Sequence, residues 1–183
     1  GKLIINVPAK NRWGKTGILS KQPLLDLDFY TTKKAPYQIQ FRVDPQASKG
    51  FVIAFDSSKT EEMWPSHKLW VHVTEPGLYM HTNTSQTAKK PENWDGTVTI
   101  TIGDGWSTAQ LSDSGEALHA KARFDPGSEY YITVFSSPGK EHGPCSLSLK
   151  SITVQKKAPE GMTPLGYWEL VDDEDFDPDE YIK

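Results

Sequence analysis

Cysteine is almost absent from this sequence, and the single Cys145 excludes an internal disulfide. Stability must then come from a packed core rather than from stapling. A surplus of positive charge is missing too. The 183 residues carry 20 Lys and Arg against 24 Asp and Glu, a net charge of -4. No segment is strongly basic, so a phosphate backbone finds little electrostatic footing and no nucleic-acid partner is expected. No apolar run approaches the roughly 20 residues of a membrane-spanning helix, so no membrane partner is expected either. Helical periodicity is scarce. The nucleophile elbow Gly-x-Ser-x-Gly, the phosphate loop and the His-Glu-x-x-His metal motif are all missing. The chain starts Gly1-Lys2-Leu3, with no recognisable signal segment, which fits a processed or excised fragment.

What the sequence has in quantity is alternation with a period of two. Tyr37, Ile39, Phe41 and Val43 point one way, and Gln38, Gln40 and Arg42 the other. Phe51, Ile53 and Phe55 share a face. Leu69, Val71 and Val73 alternate with Trp70, His72 and Thr74, and Leu78 and Met80 with Tyr79 and His81. Val98, Ile100 and Ile102 alternate with threonines. Leu118, Ala120, Ala122 and Phe124 form another apolar face, and Ser128–Ser136 is rich in Tyr, Ile, Val and Phe. Cys145, Leu147 and Leu149 alternate until the phase slips to Ile152 and Val154, which predicts a β-bulge near Lys150-Ser151. Shorter strands are expected at Leu3–Val7, Ile18-Leu19 and Leu24–Tyr30.

Turn chemistry separates these segments, at Asp44-Pro45, Glu75-Pro76-Gly77, Asp95-Gly96, Gly103-Asp104-Gly105, Asp125-Pro126-Gly127 and Ser137-Pro138-Gly139. About ten short strands of this kind predict one all-β domain, a two-sheet antiparallel β-sandwich of jelly-roll type, over residues 1–155. Residues 156–183 read as a linker-like acidic C-terminal tail. Eight of the twelve residues in Glu169–Glu180 are acidic, as a solvated segment would be.

The functional signal lies on the faces turned away from the core. The turn at Glu75–Gly77 makes the Trp70 and Tyr79 strands a hairpin, which puts Trp70, His72, Tyr79 and His81 on one side of it. A solvent face normally carries Thr, Lys and Glu. This mixture instead suits a sugar: pyranose C–H faces stack on indole or phenol, and hydroxyls both give and take hydrogen bonds. Gln38, Gln40 and Arg42 extend the patch if their strand lies in the same sheet. Trp64, in the loop feeding the Trp70 strand, is placed at its rim. The competing reading has Trp70 and Tyr79 covered by a loop or by the tail. Trp13, Trp94 and Trp106 read as anchors near strand ends.

Metal and catalytic signals are weaker. His72 and His81 lack an obvious third ligand. Asp26, Asp28 and Asp125 supply oxygen donors without an EF-hand spacing. Cys145 alternates with core leucines, as a buried structural thiol does. No catalytic residue is assigned, because the hairpin face holds no carboxylate pair for glycoside hydrolysis. The enzyme alternative is a β-sandwich polysaccharide lyase using His72, His81, Tyr79 and Arg42, or a glycoside hydrolase drawing on the nearby loop residues Glu61, Glu62 and Glu75. A structural or adhesion domain is a third reading.

Two stretches carry a resemblance. "SEYYITVFSSPGKEHGPCSLSLKSITV", after Phe124-Asp125-Pro126-Gly127, and "APYQIQFRVD" resemble strands of jelly-roll carbohydrate-binding modules from bacterial polysaccharide-degrading enzymes. The resemblance covers most of residues 1–155 in pattern. It implies a non-catalytic, secreted module attached to a glycoside hydrolase or lyase, which binds plant cell wall or other polysaccharide on a concave sheet face. Such modules often carry a structural Ca²⁺ elsewhere, and the resemblance implies no cofactor for binding itself. On this reading Trp70→Ala abolishes retention on polysaccharide gels and leaves the melting temperature nearly unchanged.

Overall fold

The computed structural model describes residues 3–7, 16–20, 25–27, 36–56, 68–82, 84–103, 105–121, 124, 128–137 and 144–156. Among these there is no helix, and thirteen strands follow one another. They are β1 (Leu3–Val7), β2 (Thr16–Leu19), β3 (Leu25–Leu27), β4 (Tyr37–Val43) and β5 (Phe51–Asp56). Next come β6 (Leu69–Val73), β7 (Gly77–His81), β8 (Ser85–Lys89), β9 (Thr97–Gly103) and β10 (Trp106–Leu111). The chain continues through β11 (Leu118–Lys121), β12 (Ser128–Ser136) and β13 (Cys145–Lys156).

The strands form two antiparallel sheets. One runs β1-β13-β4-β9-β10-β11. The other runs β2-β12-β5-β6-β7-β8, with β3 also pairing β12. β5 to β8 make a meander in one sheet and β9 to β11 a meander in the other. β12 and β13 then return beside β5 and β4. This is the expected jelly-roll sandwich. The acidic tail beyond residue 156 lies outside the described residues, as does the Asp125-Pro126-Gly127 turn.

The apolar halves of the alternating strands meet between the sheets. Ile39, Phe41, Val98, Ile100, Ile102, Leu111 and Leu147 from one sheet pack with Phe51, Ile53, Phe55, Leu69, Val71, Met80 and Tyr130 from the other. Cys145 is buried there, and burial pushes its thiol pKa up, which keeps it protonated and unreactive. The predicted bulge is present. β13 pairs β4 with a register shift between Leu149 and Ser151, so Lys150 is the extra residue. That shift returns Ile152 and Val154 to the core side, where both are partly buried.

Two strands were not legible. β8 (SQTAK) and β10 (WSTAQL) carry too few large apolar residues to announce themselves. β10 buries Ser107, Ala109 and Leu111 on its inner face, with Trp106, Thr108 and Gln110 outside. β8 is an edge strand, and its neighbour across the sandwich is the edge strand β11. The Gln86 side chain joins them. Its carboxamide nitrogen donates to the His119 carbonyl, and its oxygen accepts from the His119 N–H at 3.1 Å.

Candidate functional site

The hairpin of β6 and β7 puts the four residues on one face, as the sequence predicts, with Trp70 opposite His81 and His72 opposite Tyr79. β8 continues both rows, with Ser85 opposite His81 and Thr87 opposite Tyr79. The outer face of β6, β7 and β8 therefore presents Trp70–His81–Ser85 in one row and His72–Tyr79–Thr87 in the next. The strands lie about 4.8 Å apart, so each row spans about 10 Å. Ser85 and Thr87 are additions from the structure. Their alternation with Gln86 and Ala88 was the available signal.

The face is graded from dry to wet. On β12 and β5 the outer-face residues Phe135, Val52 and Ala54 are 0% exposed and form a second apolar cluster. Trp70 is half-buried at its margin, with its ring edge-to-face on Phe135 at 6.0 Å between centroids. The indole is thus neither a free platform nor a core side chain. It stands between the two alternatives the sequence left open. Tyr79 is 42% exposed, and His81 is exposed. Their solvent-facing positions follow from β7 lying nearer the sheet edge than β6.

Hydrogen bonds orient the imidazoles. His81 Nδ1 and Ser85 Oγ share one at 2.8 Å. His72 Nε2–H donates to the Ser137 carbonyl at 3.4 Å, and the His72 ring lies 6.2 Å from that of Tyr79 at a tilt of 44°. Burial lowers the His72 pKa, and the carbonyl contact only partly opposes this. The sign follows directly. A histidine whose folded pKa lies below its unfolded value favours the neutral ring in the fold. Its contribution is whole above the unfolded pKa of about 6.5 and is lost as pH falls through the folded value. Urea denaturation should therefore show lower stability at pH 5 than at pH 7, and His72→Gln should reduce that difference. An unchanged difference would remove His72 as its source.

The remaining predicted residues are elsewhere. Gln38, Gln40 and Arg42 lie on β4, between β13 and β9 in the opposite sheet, so they do not join the hairpin face. Alternation reports which side of a strand a residue takes but not which sheet holds the strand. This placement also separates Arg42 from His72, Tyr79 and His81, so the lyase constellation does not assemble. Trp64 and Trp13 lie outside the described residues, as do Glu61 and Glu62. Trp94 is buried and donates from Nε1 to the Thr97 carbonyl at 2.8 Å, an anchor as expected. Trp106 is 42% exposed on the outer face of the other sheet, and its indole lies over Gly103, where any Cβ would strike it. Among the described residues no three His, Cys, Asp or Glu side chains cluster to hold a metal ion.

Beyond Thr87 the wet half of the face runs into an open groove of about 610 Å³. Tyr79, Thr87 and Lys89 form its near wall. Pro91, Ser114 and Glu116 line the far side. The groove thus lies where the turn between β10 and β11 reaches across to the edge of the other sheet.

Sheet order and strand topology place the domain in the class of antiparallel jelly-roll β-sandwiches. No family model matches the chain, and no curated protein matches it. Among solved structures it is similar to sheep galectin-11 in complex with glycerol, at 8% identity and a TM-score of 0.50, covering 76% of this chain and 98% of that one. It is similar to toad ovary galectin in complex with N-acetylgalactose, at 14% identity and a TM-score of 0.50, covering 78% and 100%. The exoplasmic/lumenal domain of VIP36, in its Ca²⁺/Man3GlcNAc-bound form, aligns at 11% identity and a TM-score of 0.52, covering 89% and 86%. Likeness at such identities establishes the fold.

Proposed function

We propose that this domain is a non-catalytic carbohydrate-binding module that holds polysaccharide or oligosaccharide chains on the outer face of β6, β7 and β8. One observation carries the reading: the Tyr79 ring stands 42% exposed in register with His72 and Thr87, beside His81 and Ser85. Phenol and indole offer flat apolar surface to pyranose C–H groups, and imidazole and hydroxyl side chains offer both donors and acceptors to sugar hydroxyls. Such a set needs no cofactor. The galectin solved with N-acetylgalactose and VIP36 solved with Man3GlcNAc show that similar sandwiches carry saccharides.

The module works in a secreted protein and brings an attached polysaccharide-degrading enzyme to its substrate. Shallow, wet sites of this kind bind in the micromolar to millimolar range, about 4–8 kcal/mol. Affinity electrophoresis through gels of neutral and uronate-containing polysaccharides, with a glycan array for shorter chains, tests the reading. Retardation or array signal with no new reducing ends is the expected result. Migration unaffected by every glycan removes the saccharide role, and unsaturated or shortened products would make the domain an enzyme.

A further inference from the structure

We infer that the site continues off the sheet, and that its ligand is a saccharide chain of at least three rings, which crosses β8 and ends against the turn at residues 112–117. This extension rests on the carbohydrate reading above. It begins from continuity. Tyr79, the exposed aromatic of the face, is also a wall of the 610 Å³ groove, together with Thr87 and Lys89 of the next strand. A ring stacked on Tyr79 is therefore followed by open space rather than by protein. Gly77 lines the same groove and lets β7 and β8 approach closely there. It sits opposite Lys89, and a Cβ there would press on the Ala88 carbonyl oxygen.

Size and chemistry set the ligand class. Pockets of roughly 300–1,000 Å³ enclose a drug-sized ligand, which is larger than one pyranose. The groove thus takes further rings beyond the one on Tyr79. Its walls mix apolar Pro76 and Pro91 with the hydroxyls of Thr87 and Ser114, the ammonium of Lys89 and the carboxylate of Glu116. Donors and acceptors of both charges, spread along apolar surface, match the hydroxyl-rich edge and C–H face of a sugar chain. They match neither a purely anionic nor a purely apolar ligand.

The far wall is built before any ligand arrives. Ser112 adopts a left-handed conformation with φ of 56° and donates from Oγ to Asp95 Oδ1 at 2.6 Å. Asp95 Oδ1 also accepts from the Thr97 N–H at 2.9 Å. Gln110 Nε2 donates to the carbonyls of Gly115 at 2.7 Å and Asp113 at 3.2 Å. At Gly115 a Cβ would strike the Leu111 carbonyl, so the wall requires glycine there. These bonds hold the turn in place and spare the ordering cost of a mobile loop.

The test is a length series: β-1,4-linked gluco-, xylo-, manno- and galacto-oligosaccharides of one to six units, titrated calorimetrically against wild type, Ser114→Trp, Glu116→Ala and Tyr79→Ala. Ser114 is exposed on the turn, so the indole fills the groove without entering the core. In wild type the affinity rises about tenfold or more from disaccharide to tetrasaccharide. Ser114→Trp flattens the series to the disaccharide value, and Glu116→Ala reduces the gain. Tyr79→Ala weakens every length. Equal wild-type affinities at all lengths, or a full gain retained in Ser114→Trp or, should that variant misfold, in Glu116→Ala, overturns the extension. Binding that ignores length but is lost in Tyr79→Ala leaves the sheet-face site standing. No binding at any length overturns both.

Discussion

Replacing Tyr79 by alanine is expected to abolish retardation on polysaccharide gels while the domain stays folded. The ring is 42% exposed, and its main aromatic neighbour is the His72 imidazole, 6.2 Å away. Surface changes of this sort usually alter stability by about 0.5 kcal/mol or less. Aromatic anchors at the centre of a binding site commonly contribute about 2 kcal/mol, close to thirtyfold in affinity. For a ligand held at micromolar to millimolar strength, that loss ends visible retention. Tyr79→Phe separates stacking from hydroxyl contact, since it keeps the ring and should keep most of the retention. Normal retention by Tyr79→Ala, with an unchanged melting temperature, would take the saccharide off this face. The sequence alone pointed to Trp70→Ala for this experiment. The structure makes that the poorer choice, because the indole packs on Phe135 beside the buried Val52 and Ala54. Its removal lowers stability and retention together, and the two effects cannot be told apart.

A second large effect is expected at Phe55. Its side chain is 0% exposed on the inner face of β5 and meets the Phe124 ring edge-on at 6.0 Å. Phe124 in turn stands edge-on to Tyr130 at 4.8 Å. Truncating a buried phenylalanine to alanine removes its transfer free energy and leaves a cavity, together about 3–5 kcal/mol. Whole domains are stable by only about 5–15 kcal/mol, so Phe55→Ala should lose a large share of the total. Urea denaturation reads this as a shifted midpoint with little change in slope. Phe55 faces away from the Tyr79 surface, so folded protein at low temperature should retain its saccharide affinity. A loss below about 1 kcal/mol would mean the three rings do not pack as a unit.

These two predictions draw on different degrees of legibility. The Phe55 environment was readable from the chain, because alternation in β5 puts Phe51, Ile53 and Phe55 on one side, and that side faces the space between the sheets. The shared face of the hairpin was readable as well, since either likely register pairs even positions with odd ones. The structure selects the register with the pairs Trp70–His81 and His72–Tyr79. The phase slip after Leu149 was enough to locate the bulge. Sheet membership was not readable. Gln38, Gln40 and Arg42 alternate just as Trp70 and His72 do, yet β4 pairs β13 and β9 through residues far away in sequence. The depth of Trp70 was hidden for a related reason. It depends on Phe135, which the topology brings to β5 from a strand more than sixty residues downstream. Ser85 and Thr87 were missed because β8 owes its strand conformation to pairing with β7 rather than to its own side chains.

The Gln86 carboxamide has a consequence for how the domain meets copies of itself. A sheet normally ends in unsatisfied amides and carbonyls, which can template another molecule's backbone. Here one side chain imitates a neighbouring strand and engages both polar groups of His119, bolting the outermost ribbons of the two layers to each other. At that position the rim offers no backbone group of His119 to a second molecule's strand. At high local concentration, neighbouring copies of the domain would find that capped position harder to zip together.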